Sequence, residues 1–147
     1  MIVLQTFSKA WASASVRLGM AFASEEIIGI LNKIKYPYNI NKLTQDYALK
    51  ILKNPDVIKN WAKETVSLRS DVVYELKGFK FVEKIYPTDA NFVLVKVTDA
   101  NDLYTYLTMK GIIVRNRNRV QLCGNCLRIT IGTKEENEEL FKALKKY

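Results

Sequence analysis

The sequence contains no histidine, and this absence limits the chemistry that the chain can perform by itself. Without an imidazole, a Ser-His-Asp triad, a Cys-His pair and every zinc site that uses histidine are excluded. Any catalysis within these 147 residues would therefore depend on amines, guanidinium groups, carboxylates and hydroxyls, acting together with a cofactor.

Cysteine and long apolar segments are scarce as well. The two cysteines, Cys123 and Cys126, are too few for a disulfide framework, which suits a reducing compartment. They are also two ligands short of a structural zinc site. No apolar segment approaches the roughly 18 residues of a membrane-spanning helix, and residues 1–5 lack the basic start of a signal peptide. We therefore expect a cytoplasmic protein without a metal ion.

The charge is strongly basic, with 23 Lys and Arg against 15 Asp and Glu and a formal net charge of +8. This excess favours an anionic partner, either nucleic acid, an anionic membrane surface or a phosphorylated small molecule. The lysines are scattered, and most aromatic residues occupy apolar-periodic positions instead of alternating with basic residues along one face. We therefore give a phosphorylated ligand equal weight with nucleic acid.

Hydrophobic periodicity predicts a mixed α/β chain in two parts, residues 1–40 and residues 41–147. In the first part, Ile2–Thr6 and Leu18–Ala23 are predicted to be buried strands, and a helix is predicted to begin after Ser24. Two strands and one helix cannot close a hydrophobic core alone, so the first part looks incomplete by itself.

The second part is predicted to consist of helices followed by a mainly antiparallel sheet. Apolar residues at helical spacing predict two helices, the second running from Pro55 to Gly78. Beyond Gly78 the apolar period shortens to two, as in strands. The predicted strands are Phe79–Tyr86, Phe92–Val97, Ile112–Arg115 and Leu127–Ile131. Helices at about residues 100–110 and 133–146 are expected to cover this sheet, the second opening with a capping box at Thr133.

Ser8, Lys9 and Arg17 lie between the two predicted strands of the first part. A lysine at the mouth of a sheet can lose solvation, which lowers its pKa and frees the amine for Schiff-base chemistry. An arginine and a serine hydroxyl nearby can hold a phosphate group. Together these are the groups that pyridoxal phosphate requires, although a solvated Lys/Arg pair without a ligand has the same pattern.

A second group of arginines lies near the end of the chain. Arg115, Arg117 and Arg119 alternate, so in an extended segment they share one face and repel each other unless an anion or solvent neutralises them. For Arg117 and Arg119 we favour an exposed basic edge that discourages aggregation. Arg128 differs because it stands inside an apolar strand, where an arginine usually needs a partner.

Several motifs of this chain, in their order along the sequence, resemble those of a known family. They are Thr6–Trp11, Val16–Gly19, Pro37–Asn41, Asp89–Phe92 and Cys126–Thr133. This set is similar to the C-terminal portion of fold-type I aminotransferases, which depend on pyridoxal phosphate, and in particular to the branch that acts on histidinol phosphate in histidine biosynthesis. The resemblance covers essentially all of the chain.

The resemblance implies a role for each candidate residue. Lys9 would join the cofactor as a Schiff base, while Ser8 and Arg17 would hold the cofactor's phosphate. Arg115 and Arg128 would bind the anionic end of the substrate, here a phosphate ester. The complete enzyme would be a homodimer, with no nucleic-acid or membrane partner. Residues 1–40 would be the end of its large cofactor-binding domain, and residues 41–147 would supply the connecting helices and the small C-terminal domain.

The sequence departs from the family in two respects. Ala12 and Ser15 stand where glycine is common, and a side chain costs about 1 kcal/mol or more at any position that needs a positive φ. The family's residues that bind the cofactor ring precede the lysine strand, so the chain looks like the C-terminal part of an enzyme more than twice as long. We expect it to be inactive alone. The alternative is a stand-alone α/β module that binds phosphate ligands or nucleic acid through Arg115, Arg117 and Arg119.

Overall fold

The computed structural model describes all 147 residues and contains six β-strands and five α-helices. The predicted mixed α/β class is confirmed. The chain divides into two compact units, Met1–Ala62 and Lys63–Tyr147. The division predicted at residue 40 concerns the domains of a longer enzyme and stays a prediction.

The first unit begins with an antiparallel hairpin. Its strands are β1 (Val3–Thr6) and β2 (Gly19–Phe22), with Val3 opposite Phe22 and Thr6 opposite Gly19. Helices follow at α1 (Glu25–Ile34), α2 (Lys42–Leu52) and α3 (Pro55–Leu76), and the boundary between the two units falls within α3.

The prediction that both hairpin strands are buried is wrong for this chain. All four residues of β1 are exposed, and in β2 only Met20 and Ala21 are half-buried. The physical reason is that β1 and β2 form a separate two-stranded sheet, which has no neighbouring strands to cover its edges. The apolar sequence of these strands indicates a covered environment that the 147 residues do not provide.

The second unit contains a four-stranded antiparallel sheet in the order β3-β4-β6-β5. Its strands are β3 (Val82–Ile85), β4 (Phe92–Val97), β5 (Arg115–Asn116) and β6 (Cys126–Thr130). The predicted antiparallel sheet is confirmed. The strand predicted at Ile112–Arg115 is displaced, because only Arg115 and Asn116 pair with β6.

The core of the second unit lies on one face of this sheet. Alternate residues of β4 point into it, as their buried–intermediate pattern shows. Helices α4 (Ala100–Met109) and α5 (Lys134–Leu144) cover this face together with the end of α3. The most deeply buried members are Val72, Leu76, Val93, Val95, Leu103, Leu107, Leu127 and Leu144. The opposite face of the sheet is therefore available for polar side chains.

The turn from β6 into α5 is held by several hydrogen bonds. The predicted capping box is confirmed, with Thr133 Oγ1 accepting from the Glu136 N–H and Glu136 Oε2 accepting from the Thr133 N–H. The buried Asn137 side chain accepts from the Gly132 N–H at 3.0 Å and donates to the Gly132 carbonyl at 3.1 Å. A Cβ on Gly132 would lie only 2.6 Å from Glu136 Oε2 and 2.8 Å from Glu136 Cβ.

We expect Gly132→Ala to lower the free energy of unfolding of this chain by about 1–3 kcal/mol, as overpacking usually does. The new methyl group would push Glu136 out of the capping box. Gly124→Ala is the matched control, because a Cβ there meets nothing within 4 Å. Urea unfolding followed by circular dichroism measures both changes, and an equal loss in the two variants would contradict the prediction.

Candidate functional site

The structure places Ser8, Lys9 and Arg17 at one end of the β1–β2 hairpin. The ladder continues past Thr6, because the Phe7 N–H donates to the Leu18 carbonyl at 3.1 Å. The Phe7 carbonyl then accepts from the Ser13 N–H at 3.0 Å, so the strand pairing ends there. Ser8 and Lys9 follow Phe7 and Arg17 precedes Leu18, so all three lie in the loop that closes this end of the hairpin. The three residues predicted to hold the cofactor therefore share one small region.

Internal hydrogen bonds order the loop that carries Lys9. The Ala12 N–H donates to the Lys9 carbonyl at 2.8 Å, and the Ser13 N–H donates to the Phe7 carbonyl at 3.0 Å. Ser13 is buried, and its hydroxyl donates to the Trp11 carbonyl at 2.6 Å. The Phe7 and Trp11 rings pack with their centroids 5.3 Å apart. The backbone beside Lys9 is thus fixed by the loop's own contacts.

The polar groups at the end of the hairpin are donors with few internal partners. The Thr6 hydroxyl donates to Ser8 Oγ at 2.9 Å, a contact that residue type alone does not predict because threonine is common in strands. Arg17 donates from Nη1 to the Ala14 carbonyl at 2.9 Å and forms no ion pair. The rest of the guanidinium group remains available to an anion.

The hairpin and its loop carry no negative charge. Residues 1–24 contain no aspartate or glutamate, and Lys9 and Arg17 are the charged side chains of this segment. Lys9 is exposed and its amine forms no ion pair. A primary amine, a guanidinium group and hydroxyls without a counter-charge fit a ligand that carries both a phosphate and an aldehyde. The residues present therefore fit pyridoxal phosphate.

Two residues of the loop have a left-handed backbone. Ala12 has φ 48° and Arg17 has φ 52°, whereas Ser15 is not among the residues with positive φ. Of the two positions where the family commonly has glycine, Ala12 is therefore the one where a side chain is strained. Arg17 also adopts the left-handed backbone conformation, at the end of the short 3-10 helix Ala14–Val16, although it carries a side chain.

We expect Ala12→Gly to raise the free energy of unfolding of this chain by about 0.5–1 kcal/mol. Relief of left-handed strain is worth about 1–2 kcal/mol, and the greater freedom of glycine in the unfolded chain takes back part of it. Ser15→Gly is the control and should lower stability, because no positive φ is relieved there. Thermal unfolding of both variants tests this, and stabilisation by Ser15→Gly would contradict it.

The structure brings Arg115 and Arg128 together on the sheet of the second unit. They are directly opposed in the register of β5 and β6, so their side chains lie on the same face. The guanidinium carbon of Arg128 lies 5.0 Å from the centroid of the Phe92 ring. The sequence does not predict Phe92 as the partner of Arg128, because nothing in an apolar strand marks one aromatic ring as an arginine's partner.

The electrostatics of this pair favour an anion. Neither arginine forms an ion pair within the chain, and like charges directly opposite each other destabilise a sheet. Arg128 Nε is buried without a hydrogen-bond acceptor, which costs about 1–3 kcal/mol. A phosphate or carboxylate between the two guanidinium groups would form charge-assisted hydrogen bonds that offset both the repulsion between the arginines and the missing acceptor of Arg128 Nε.

The Asp89–Phe92 motif has a structural role at the start of β4. Arg69 of α3 donates from Nη1 to the Ala90 carbonyl at 2.9 Å and lies 3.9 Å from the Asp89 carboxylate. The Asn91 carbonyl accepts from the Ile131 N–H at 2.9 Å. These contacts fix the end of the β4–β6 pair near Arg128.

The two thiols at Cys123 and Cys126 are free. Burial raises the pKa of the Cys126 thiol, which disfavours the reactive thiolate. The structure contains no group of three or more cysteine, aspartate or glutamate side chains that could hold a metal ion. None of its helices is long and apolar enough to span a membrane.

Comparison with known proteins identifies the class to which this arrangement belongs. The sequence model of the aminotransferase class I and II family, whose members depend on pyridoxal phosphate, matches residues 1–144. The chain therefore belongs to the aminotransferase class I and II family.

Individual relatives carry a more specific name. The histidinol-phosphate aminotransferase of Bacteroides fragilis is 54% identical over all 147 residues, and the chain spans 43% of its length. The fold matches the histidinol-phosphate aminotransferase structure from Clostridium acetobutylicum with a TM-score of 0.89 at 23% identity, covering 99% of this chain and 45% of that one. It also matches the Sinorhizobium meliloti enzyme in complex with pyridoxal 5'-phosphate, with a TM-score of 0.80 at 22% identity, covering 99% of this chain and 40% of that one. None of these comparisons supports a stand-alone module that binds nucleic acid.

Proposed function

We propose that this chain supplies the cofactor lysine and the substrate-binding arginines of an aminotransferase that acts on histidinol phosphate. The observation that carries the proposal is the pairing of Arg115 with Arg128, two arginines without counter-charges on one face of the sheet. The names of the relatives support the same substrate. The activity belongs to the longer enzyme, a homodimer, of which these residues form a part.

The hairpin of the first unit would hold the cofactor. Pyridoxal phosphate, when bound, supplies the electron sink that accepts the electrons released at the substrate's Cα. Lys9 would carry the cofactor on its amine and, once released, move a proton at the substrate's Cα as a general acid–base. The Ser8 hydroxyl and the Arg17 guanidinium group would bind the phosphate, and the hydrogen-bonded loop would keep Lys9 in place.

The sheet of the second unit would select the substrate. A phosphate ester carries up to two negative charges, which match the two guanidinium groups of Arg115 and Arg128 better than a neutral side chain does. The Phe92 ring lies near the Arg128 guanidinium and would help to hold it through a cation–π contact. Binding at this end would hold the phosphate of the substrate in place and so would limit the orientations that the rest of the substrate can adopt.

A chimeric enzyme tests the proposal directly. These 147 residues replace the aligned 147 residues of the Bacteroides fragilis relative, so that the other residues of that enzyme are its own. Amino transfer between histidinol phosphate and 2-oxoglutarate is then measured. We expect activity with histidinol phosphate and a much lower kcat/KM with histidinol, which lacks the phosphate. A folded chimera that binds the cofactor and prefers histidinol would contradict the proposed substrate.

In this chimera Arg128→Ala should raise the KM for histidinol phosphate by about 10- to 100-fold. A lost charge-assisted hydrogen bond costs about 1.5–3 kcal/mol, which corresponds to one to two decades in affinity. Arg119→Ala is the matched control and should change KM by less than about threefold, because Arg119 lies outside the β5–β6 ladder. Equal effects of the two substitutions would contradict the assignment of Arg128.

We expect the 147 residues by themselves to have no useful transaminase activity. The strands that flank Lys9 are largely exposed, so water is not excluded from the loop, and catalysis needs a closed site and groups that position the cofactor ring. The chain is mixed with pyridoxal phosphate, glutamate and the keto substrate, and amino transfer is followed. Turnover in the usual enzymatic range of about 1–10³ s⁻¹ would overturn this prediction.

A further inference from the structure

The strand that carries Arg115 is poorly restrained by the sheet itself. Strand β5 has two residues, Arg115 and Asn116, and lies at the edge of the sheet with β6 as its sole neighbour. Arg115 also opposes Arg128, and the repulsion between the two charges weakens this pairing. Something other than the β-ladder must therefore keep the two arginines side by side.

The Asn116 side chain ties this edge strand to α4. Its Nδ2 donates to Asn101 Oδ1 at 2.9 Å and to the Ala100 carbonyl at 3.5 Å. Those acceptors lie in a well-ordered first turn, because the Asp99 carboxylate caps α4 by accepting from the Asn101 and Asp102 N–H groups. Asn116 thus connects the residue next to Arg115 to a rigid part of the core.

The same side chain also organises the loop that follows β5. Asn116 Oδ1 accepts from the Asn118 N–H at 2.8 Å, and Asn118 Oδ1 accepts from the Asn125 N–H at 2.7 Å. Asn125 has a left-handed backbone with φ 55°, a conformation that asparagine tolerates better than most residues. These hydrogen bonds connect the loop after β5 to the residue before β6. At the start of β6 the Arg117 N–H donates to the Cys126 carbonyl at 2.9 Å.

We propose that Asn116 is a positioning residue for the arginine pair, holding Arg115 beside Arg128 through its bonds to α4 and to the Asn118–Asn125 loop. Both polar atoms of its side-chain amide are used, Nδ2 as donor and Oδ1 as acceptor, so no other residue type of similar size replaces it. The role in substrate binding rests on the proposed function, whereas the restraint on β5 is a property of this chain alone.

A double-mutant cycle in the chimeric enzyme tests the role in binding. Asn116→Ala should raise the KM for histidinol phosphate by about 3- to 10-fold, the effect of one or two lost hydrogen bonds, with little change in kcat. The substitution should add nothing further in an Arg115→Ala background, but should keep its effect in an Arg128→Ala background. Equal additional losses in both backgrounds would show a general structural defect and overturn the proposal.

Hydrogen exchange in the 147-residue chain provides a readout that does not depend on the proposed function. Asn116→Ala should speed exchange of the Arg117 amide at least tenfold, since that amide pairs with β6 beside the edge strand. The Ile131 amide, which bonds to Asn91 at the start of β4, serves as the internal reference and should not change. Unchanged exchange at Arg117 would overturn the proposal even if the chimera acts on histidinol phosphate. If Asn116→Ala speeds exchange at Arg117 in the 147-residue chain but the chimera does not act on histidinol phosphate, the proposed function alone is refuted.

Asn101 supplies a matched pair of variants for the bond to α4. Asn101→Asp keeps an oxygen that can accept from Asn116 Nδ2, and it should leave exchange at Arg117 near the parent value. Asn101→Ala removes that acceptor and should speed exchange in the same direction as Asn116→Ala. If the two Asn101 variants behave alike, the bond between Asn101 and Asn116 does not restrain the edge strand, and the proposed mechanism is wrong.

Discussion

The register of three antiparallel strands is the constraint on which the rest of the second unit depends. In β4 and β6, alternate side chains enter the core, and the residues between them occupy the other face. A shift of one residue would move Arg128 into the core and expose Leu127. The burial of Leu127 and Ile129 therefore fixes where Arg128 points, and the pairing with β5 then places Arg115 opposite it.

The two cationic sites are built on different principles. Arg128 stands on a strand whose position is set by the core, whereas Arg115 stands on a two-residue edge strand whose other residue, Asn116, hydrogen-bonds to α4. Lys9, Ser8 and Arg17 stand on a short hairpin whose loop is ordered mainly by its own hydrogen bonds. That loop includes non-glycine residues with positive φ, and such strain is often found where a ligand must be held.

Much of the fold could be predicted from local pattern. The start of α3 at Pro55 follows from the proline preference for the first turn, and the start of α5 follows from the capping box at Thr133. The antiparallel sheet follows from the change of period after Gly78. Helix α1 does begin after Ser24, although the Ser24 side chain forms no capping hydrogen bond. The predictions failed where an element depended on distant partners. The apolar residues of Ile112–Arg115 predict a strand there, yet pairing at the sheet edge begins only at Arg115.

The sequence by itself determined the candidate chemistry. Residue type and motif order alone excluded histidine-based catalysis and indicated an anionic partner. They also pointed to the serine, the lysine and the arginines that are candidates for binding a phosphorylated cofactor and substrate. Only the tertiary structure decided that Arg115 and Arg128 are directly opposed on one face of the sheet, that Arg128 Nε has no acceptor, and that Asn116 bonds to Asn101 and Asn118. The physical reason is that these facts depend on strand register and on contacts between residues far apart in the chain, and local sequence encodes neither directly.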